Sequence, residues 1–422
     1  MAPRGVDGLT VRIGSDLTAL ADDLAAGLAH PAGPVLEQEL VVVPTPGIGL
    51  WLESVLASRL GASLFGDGIC ANVAFRLVGN LLLRLDRDAD PDLDEWSVEA
   101  MTVAALGILL DAAPDDPVTR LRAPDDERTA FAVARTSADL FDQLFRWRPD
   151  VAARWLAGDL EDRRAPLLRR LAARASTPPP HEALAAAIAR LRGGNDEGVD
   201  LPARVHLFGA DTLAGGPAMP AVLDALATVR EVHVHLVVPS VARFDAIHAA
   251  TPRFVGGVPD RERGEDGGDP LLRSWGTASG DAARLVAQLP TRAGTSVSPV
   301  PGPAPAPPST LLGALQQTVT SPEPVRRPVD GTVALHGCVG PLRQVEVARD
   351  AILHALAEDP SLAPSEVVVL CPDLPRFAPY LEAVLGNPQG APRLPFVLRD
   401  RAVSRATRST SCVAPPCEGG SR

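Results

Sequence analysis

The sequence predicts an α/β fold built on a parallel sheet, and three observations carry that prediction. Short β-branched or apolar runs at Leu9–Ile13, Leu40–Val43, Arg204–Phe208 and Glu231–Val238 are each followed by Ala/Leu-rich stretches with apolar residues at helical spacing. Leu40–Val43 leads into the turn-forming cluster Pro44–Gly49 and then the helical run Leu50–Leu60, the strand, loop, helix order that opens a nucleotide-binding domain. Between the second of these strands and Arg204 lies a long helical stretch, about residues 72–192, which reads as a large insertion.

The loop Pro44–Gly49 decides what such a domain can do. A phosphate-binding loop reads G-x-x-x-x-G-K-[ST], with backbone amides and a lysine around the phosphates. Here it reads PTPGIGLW: Pro44 and Pro46 each lack an amide donor, and Leu50 and Trp51 follow Gly49 where lysine and hydroxyl belong. The chain contains no lysine at all, so its 40 basic residues are all arginine. Pro44, Pro46, Gly47 and Gly49 therefore mark a degenerate P-loop position in a P-loop-NTPase-like body, and no cofactor is expected in this chain.

With 422 residues, 46% of them hydrophobic, and a mean hydropathy of +0.09, the chain has ample surface to bury two or three cores. The net charge of −12 argues against general coating of nucleic acid and permits a local arginine-lined channel. Cys70, Cys338, Cys371, Cys412 and Cys417 form no C-x-x-C pair and no metal spacing, which suits a reducing cytoplasm. Residues 1–30 hold four aspartates and no apolar signal core, and no run is apolar for long enough to span a membrane.

In chain order, Ser15-Asp16 caps a helix reaching Leu28, and the strand Leu40–Val43 is expected to pair with Leu9–Ile13. Asn72–Leu85 reads as a helix. Trp96, Ser97 and Met101 form a stapled entry to a helix ending near Asp111. Thr129–Trp147 is the longest helix, with Phe131, Ala134, Ala138, Phe141 and Phe145 as its buried stripe and Arg135, Asp139, Asp142, Gln143 and Arg146 as a polar one. Arg148-Pro149 stops it. Val151–Leu160, Leu167–Ala175 and His181–Leu191 continue the helices, with Arg163, Arg164, Arg169, Arg170 and Arg174 making the region basic. Arg204–Phe208, a helix near Met219–Ala227 and Glu231–Val238 form a β-α-β unit, and the lone Asp211 after its first strand reads as a loop cap rather than a metal ligand. His206, His233 and His235 read as sheet residues. Trp51, Trp147, Trp155 and Trp275 read as core residues, with base stacking as the alternative.

Gly256–Gly268 reads as a surface loop, and a helix follows through Leu289. Residues 1–289 then form the first domain, and 290–331 a Pro-rich linker: Pro290–Ser309 without structure, one short helix, Leu311–Val319, and a second Pro-rich connector. Thr332–Cys338, the helix Val345–Ala357 and Glu366–Cys371 begin a second α/β domain over 332–400, and 401–422 is a disordered Ser/Arg/Pro tail. Two or three parallel strands cannot cover their own faces, so the expectation is a truncated or frame-shifted chain.

Several blocks, in order, resemble the RecC (gamma) subunit family of the RecBCD helicase–nuclease, exodeoxyribonuclease V: TPGIGLWLE, GICANVAF, SADLFDQLFRWRPD, RVHLFG, VHVHLVVP, DPLLRSWG, QVEVARDAILHALAEDPSLAPSEVVVLCPDL and LPFVLRDR. The resemblance spans nearly everything from Val11 to Arg401 and implies a superfamily 1 helicase-like body whose motor motifs have decayed. It implies a non-catalytic subunit that holds RecB-type and RecD-type partners together, splits duplex DNA ends and scans the 3′ strand for Chi in recombinational repair. ATP and magnesium would be used by those partners.

Carried over by motif, the scanning surface would include Leu77 from ANVAFRL and Asp139, Leu140, Asp142 and Arg148 from SADLFDQLFRWRPD. Carboxylates accept from cytosine and adenine amino groups, while arginine reads guanine or holds phosphate. The alternative is a solvated helix face with Asp139–Gln143 and Asp142–Arg146 as ordinary i,i+4 pairs. Pro44, Pro46, Leu50 and Leu83 are apolar where the family pattern is polar or aromatic, so the octamer itself is not carried over. Two other readings compete. An AddB-like helicase–nuclease subunit calls for an intact P-loop and an iron–sulfur cysteine set, and a non-functional remnant would keep the fold without assembling.

Overall fold

The computed structural model describes residues 8–398 except 35, 61–68, 84, 86–93, 122–126, 210–217, 252–269, 290–294, 303–307, 321–324 and 387–393. Asp211, the Gly256–Gly268 loop and the 401–422 tail lie outside the described residues. The chain divides into two units, Met1–Asp330 and Gly331–Arg422.

The first unit is a six-stranded parallel sheet with helices on both faces. Its strands are β1 (Leu9–Gly14), β2 (Glu39–Val43), β3 (Val73–Leu77), β4 (Arg204–Phe208), β5 (Glu231–Val237) and β6 (Ser296–Pro299), in the spatial order β3-β2-β4-β5-β1-β6. The predicted pairing of Leu40–Val43 with Leu9–Ile13 is corrected: β4 and β5 stand between them, because β2 instead pairs with β3 and β4. Asn72–Leu85 is corrected too. Its first half is the edge strand β3, and only α3 (Val78–Leu83) is helical. Val73, Ala74 and Phe75 continue the β2 ladder, so tertiary pairing overrides a helix-like apolar pattern. The Pro-rich linker likewise contains β6, which pairs along β1. Its Ser and Pro residues suit an exposed sheet edge.

Period-two alternation divides the sheet side chains between two cores. Val205 and Leu207 of β4 and Val232, Val234 and Leu236 of β5 join β1 residues Leu9, Val11 and Ile13 on one face. That face is covered by α3, α8 (Pro180–Arg192), α9 (Met219–Leu226), α10 (Val241–Ala250) and α12 (Thr277–Ala287). On the other face Val41, Val43 and Phe208 meet Leu20, Ala21 and Leu24 of α1 (Leu17–Leu28) and Leu52 and Leu56 of α2 (Pro46–Ala57). Each such aliphatic side chain contributes about 1.5–3 kcal/mol on burial, so the continuous rows are what hold the layers.

A helical region between β3 and β4 has its own core. Ser97 caps α4 (Val98–Asp111) by accepting from the Ala100 amide, and the flanking Trp96 and Met101 are both buried there. Ala134 and Ala138 let α5 (Glu127–Trp147) approach α4, and Phe141 and Phe145 fill the space beyond. Phe131 is corrected from the buried stripe: it is 53% exposed, and Ala130, one residue earlier, is buried instead. Pro149 starts α6 (Pro149–Ala157), Gly158 closes it at φ 81°, and α7 (Ala165–Arg174) follows. α8 joins the two cores. Its His181 ring stacks on Phe145, while its Ile188 and Leu191 lie in the sheet core.

After α10, the short α11 (Pro270–Trp275) precedes α12, and α13 (Leu311–Thr320) follows β6. In the second unit, α14 (Gly340–Glu358) and α15 (Leu374–Leu385) pack through Val345, Leu381 and Leu385. The expected strands Thr332–Cys338 and Glu366–Cys371 are corrected: neither forms a ladder among the described residues, and Leu335 and Leu370 stand 96% and 89% exposed. A β-branched run becomes a strand only where a neighbour answers its amides and carbonyls. Asp373, whose carboxylate accepts from the Arg376 amide, is the sequence signal for α15 that pattern reading overlooked.

Candidate functional site

Because every pairing in the sheet is parallel, all six strands end at one edge, where α/β proteins place their ligands. The chain leaves β2 towards β3 and leaves β4 towards β5, in opposite directions, so the switch point lies between β2 and β4. The segment Pro44–Gly49, expected from the sequence to be a degenerate P-loop, is at that point, but its shape differs from the sequence reading. Pro44–Gly49 is not a turn cluster: only Pro44 and Thr45 separate β2 from α2, which starts at Pro46. Proline is preferred at a helix's first position, so Pro46 begins the helix rather than delaying it.

Three helix ends at this edge, those of α2, α1 and α10, are closed by the chain's own side chains. Thr45 Oγ1 accepts from the Ile48 amide at 3.3 Å, Asp16 Oδ1 from the Ala19 amide at 2.7 Å, and Ser240 Oγ from the Arg243 amide at 3.3 Å. The Asp16 carboxylate also puts a negative charge at the N-terminus of α1, the place an anion would take. Gly47 lies in the first turn of α2. Gly49 is buried one step further on, and a Cβ there would sit 3.4 Å from Phe75 Cβ and 3.6 Å from Val43 Cγ2, so this glycine faces β3 rather than open solvent. Leu77, at the end of β3, is 40% exposed at the same edge. Trp51 packs half-buried near Phe208, ring centroids 6.3 Å apart.

The other predicted site residues lie on α5 and at its junction with α6. Asp139 and Asp142 share the polar stripe, but the expected Asp139–Gln143 pair is replaced by one running the other way. Arg135 Nε donates to Asp139 Oδ2 at 3.3 Å, with Glu99 of α4 3.6 Å from Arg135 Nη1. Asp142 and Arg146 pair at 3.3 Å as expected. Leu140 departs from the surface reading, because it is half-buried against the helical core. Arg148 is exposed and forms a two-toothed pair with Asp150, Nε to Oδ1 at 3.0 Å and Nη2 to Oδ2 at 2.8 Å. Hydrogen bonding from Arg148 holds the Asp150 carboxyl below its usual range. Leu77 is thus at the sheet edge, and the four other carried-over residues belong to the helical region.

Three arginines of the basic stretch 163–174 help to hold its helices. Arg169 donates to Trp155 O at 3.2 Å and lies 3.6 Å from Glu161, Arg170 pairs with Asp116, and Arg163 donates to Arg120 O at 3.4 Å. Trp155 is buried as expected, whereas Trp147 and Trp275 are corrected from core residues, being 45% and 72% exposed.

A stripe of polar residues lies beneath α1. His206 stacks on His233 with centroids 5.0 Å apart, His235 Nε2 is 3.2 Å from Asp23 Oδ2, and Asp23 is 3.6 Å from Arg12. Burial pushes His206 well below the ordinary imidazole range and His233 to about 4, with the neighbouring histidines adding to both. The His235 hydrogen bond in turn lowers the Asp23 carboxyl. Period-two spacing placed these histidines in strands; nothing in their spacing showed Asp23 facing them. Among the described residues no group of three or more His, Cys, Asp or Glu could hold a metal ion, and no helix is long and apolar enough to cross a membrane.

Comparison with known proteins adds to this geometry. Residues 9–321 match the family described as RecC, N-terminal domain. Over 431 residues the chain is 35% identical to the RecBCD enzyme subunit RecC of Mycobacterium tuberculosis H37Rv, covering 94% of this chain and 38% of that protein. It is 34% identical to the Mycolicibacterium smegmatis subunit, over 89% of this chain and 34% of the relative, and 25% identical to the Escherichia coli K12 subunit, over 86% and 37%. The chain therefore spans less than two-fifths of the length of these curated relatives.

Proposed function

This chain belongs to the RecC family, and from that premise we propose that it is the strand-guiding, non-catalytic part of a RecBCD-type enzyme. In this reading the sheet is a superfamily 1 helicase body that no longer takes nucleotide. It holds RecB-type and RecD-type subunits in the cytoplasm, helps split duplex ends, and presents the 3′ strand to a Chi-scanning face in double-strand-break repair. Nucleotide and magnesium chemistry belongs to the partners. One observation carries the reading: the connection at the switch point is Pro44-Thr45 alone, with Thr45 closing the helix end that a phosphate would need.

On the scanning side, Asp139, Asp142 and Arg148, exposed or half-exposed along one helix and its end, would meet base edges and phosphate. Leu77 would join them from the sheet edge, and Leu140 would support the face from beneath.

The test has two arms. The purified chain with single-stranded DNA is expected to show neither ATP binding nor turnover, and turnover abolished by changing this chain's own edge residues would overturn the decayed-motor reading. Co-expression is expected to pull down a RecB-type subunit. A soluble, folded chain that fails to do so would favour the remnant reading.

A further inference from the structure

Arg148 stands where α5 gives way to α6, and the side-on edge it would offer a phosphate, Nε with Nη2, is taken by Asp150, at 3.0 and 2.8 Å. Both side chains are exposed, 57% and 60%, so burial does not force the pair; its geometry does. Two parallel N–H···O contacts are the way a guanidinium grips a phosphodiester. The neighbouring pairs are looser. Arg135 reaches Asp139 through Nε at 3.3 Å, and Arg146 reaches Asp142 through Nη2 alone, at 3.3 and 3.4 Å. Each of these three arginines therefore faces a carboxylate of its own chain, and the tightest match is at Arg148. This account rests on the reading of α5 as strand-facing.

We propose that Asp150 is a positioning residue that withholds Arg148 from the backbone of a single strand. A phosphate gains the two-toothed, side-on grip of Arg148 only by displacing Asp150, so Asp150 weakens the sequence-independent part of the affinity. Exposed ion pairs are weak and exchange readily, which keeps the displacement accessible. A strand held loosely in this way can slide past Asp139 and Asp142 while its bases are presented to them. A free Arg148 would pin it.

Asp150 also lies in the first turn of α6, where a carboxylate suits the helix dipole, and the test must separate that role. Binding of the whole chain to oligo(dT) is measured by fluorescence anisotropy across a potassium chloride series, for wild type, Asp150→Asn, Arg148→Gln and the double variant, with thermal melts as folding controls. Each phosphate contact on a single strand steepens the log–log salt slope by about 0.7. Asp150→Asn is expected to steepen it by that amount and to tighten binding several-fold at low salt, and to change nothing once Arg148 is Gln. An unchanged slope in Asp150→Asn, or the same change in the Arg148→Gln background, overturns the proposal while leaving the strand-facing reading in place. No oligo(dT) binding by any folded form overturns that reading and the proposal together.

Discussion

The His206 imidazole lies against that of His233, centroids 5.0 Å apart and planes 24° from parallel, on adjacent strands at matched register positions. His206 is 1% exposed, and both its ring nitrogens lack a hydrogen-bond partner. Asp23 and His235 face the pair from α1 and β5, with Arg12 and Arg204 from β1 and β4. Protonation therefore puts a charge where two arginines and a second imidazole oppose it.

The pH dependence follows from that burial. Both histidines have folded values below the ordinary 6.5, His233 at about 4, so the unfolded chain binds the proton first. Stability is fully present above pH 6.5 and falls as the pH drops from 6.5 towards about 4, by up to about 1.4 kcal/mol per pH unit for each histidine. Urea midpoints at pH 7.5 and 5.0 check this. His206→Leu is expected to flatten the profile and leave stability at pH 7.5 unchanged or raised, because it removes a buried polar group without partners.

At the carboxyl edge, the caps and the glycine should behave differently. Asp16→Ala and Thr45→Ala each remove a side-chain acceptor from a helix N-terminus and are expected to cost about 1 kcal/mol. Gly49→Ala meets only ordinary contacts, the nearest at 3.4 Å, and gains helix propensity of up to about 1 kcal/mol. It should therefore be neutral or stabilising in denaturant titrations. A strongly destabilised Gly49→Ala would mean that the glycine is there for more than packing.

How much of this was legible follows from the range of the interactions. Strands β1, β2, β4 and β5 were readable because β2 is a continuous apolar run and the other three carry a buried aliphatic residue at every second position, and Asp16 and Ser97 announce their helices locally. β3 and β6 were not, since what makes Val73–Leu77 and Ser296–Pro299 strands is a ladder to residues far away in sequence. The same distance hid Asp23 from the histidines. Within the candidate site, the i,i+4 pair of Asp142 and Arg146 was visible, whereas Glu99 reaching Arg135 from another helix, and Leu140 turning inward, depend on how α4 and α5 meet.

The register of α5 gives a paired prediction. Phe145 meets Trp96 edge-on at 5.3 Å and stacks on His181 at 5.6 Å, so Phe145→Ala empties the join between the helical core and α8 and is expected to cost about 3–5 kcal/mol. Phe131→Ser, 14 positions earlier on the same helix, should change stability by less than about 0.5 kcal/mol, because that ring is 53% exposed. Thermal melts of both variants decide whether the stripe runs through Ala130 or Phe131.

Arg204, on β4, and Glu39, at the start of β2, form the best-shielded ion pair of the sheet: Nη2 to Oε1 at 2.7 Å and Nε to Oε2 at 3.3 Å, with Nη2 also donating to His30 O at 2.9 Å. Their side chains are 7% and 16% exposed, so the arginine is the more shielded of the two. Removing one partner of a buried pair leaves an uncompensated charge and costs about 3–5 kcal/mol, whereas replacing both with apolar residues is often close to neutral. Glu39→Leu strands the deeper charge and should cost more than Arg204→Met, which leaves a carboxylate able to turn towards water. The double variant should recover most of either loss. Urea midpoints of the four proteins, combined as a double-mutant cycle, read this directly. Equal losses from the two single variants that simply add in the double would show that the residues contribute independently, and that β2 and β4 are joined at this end by their ladder alone.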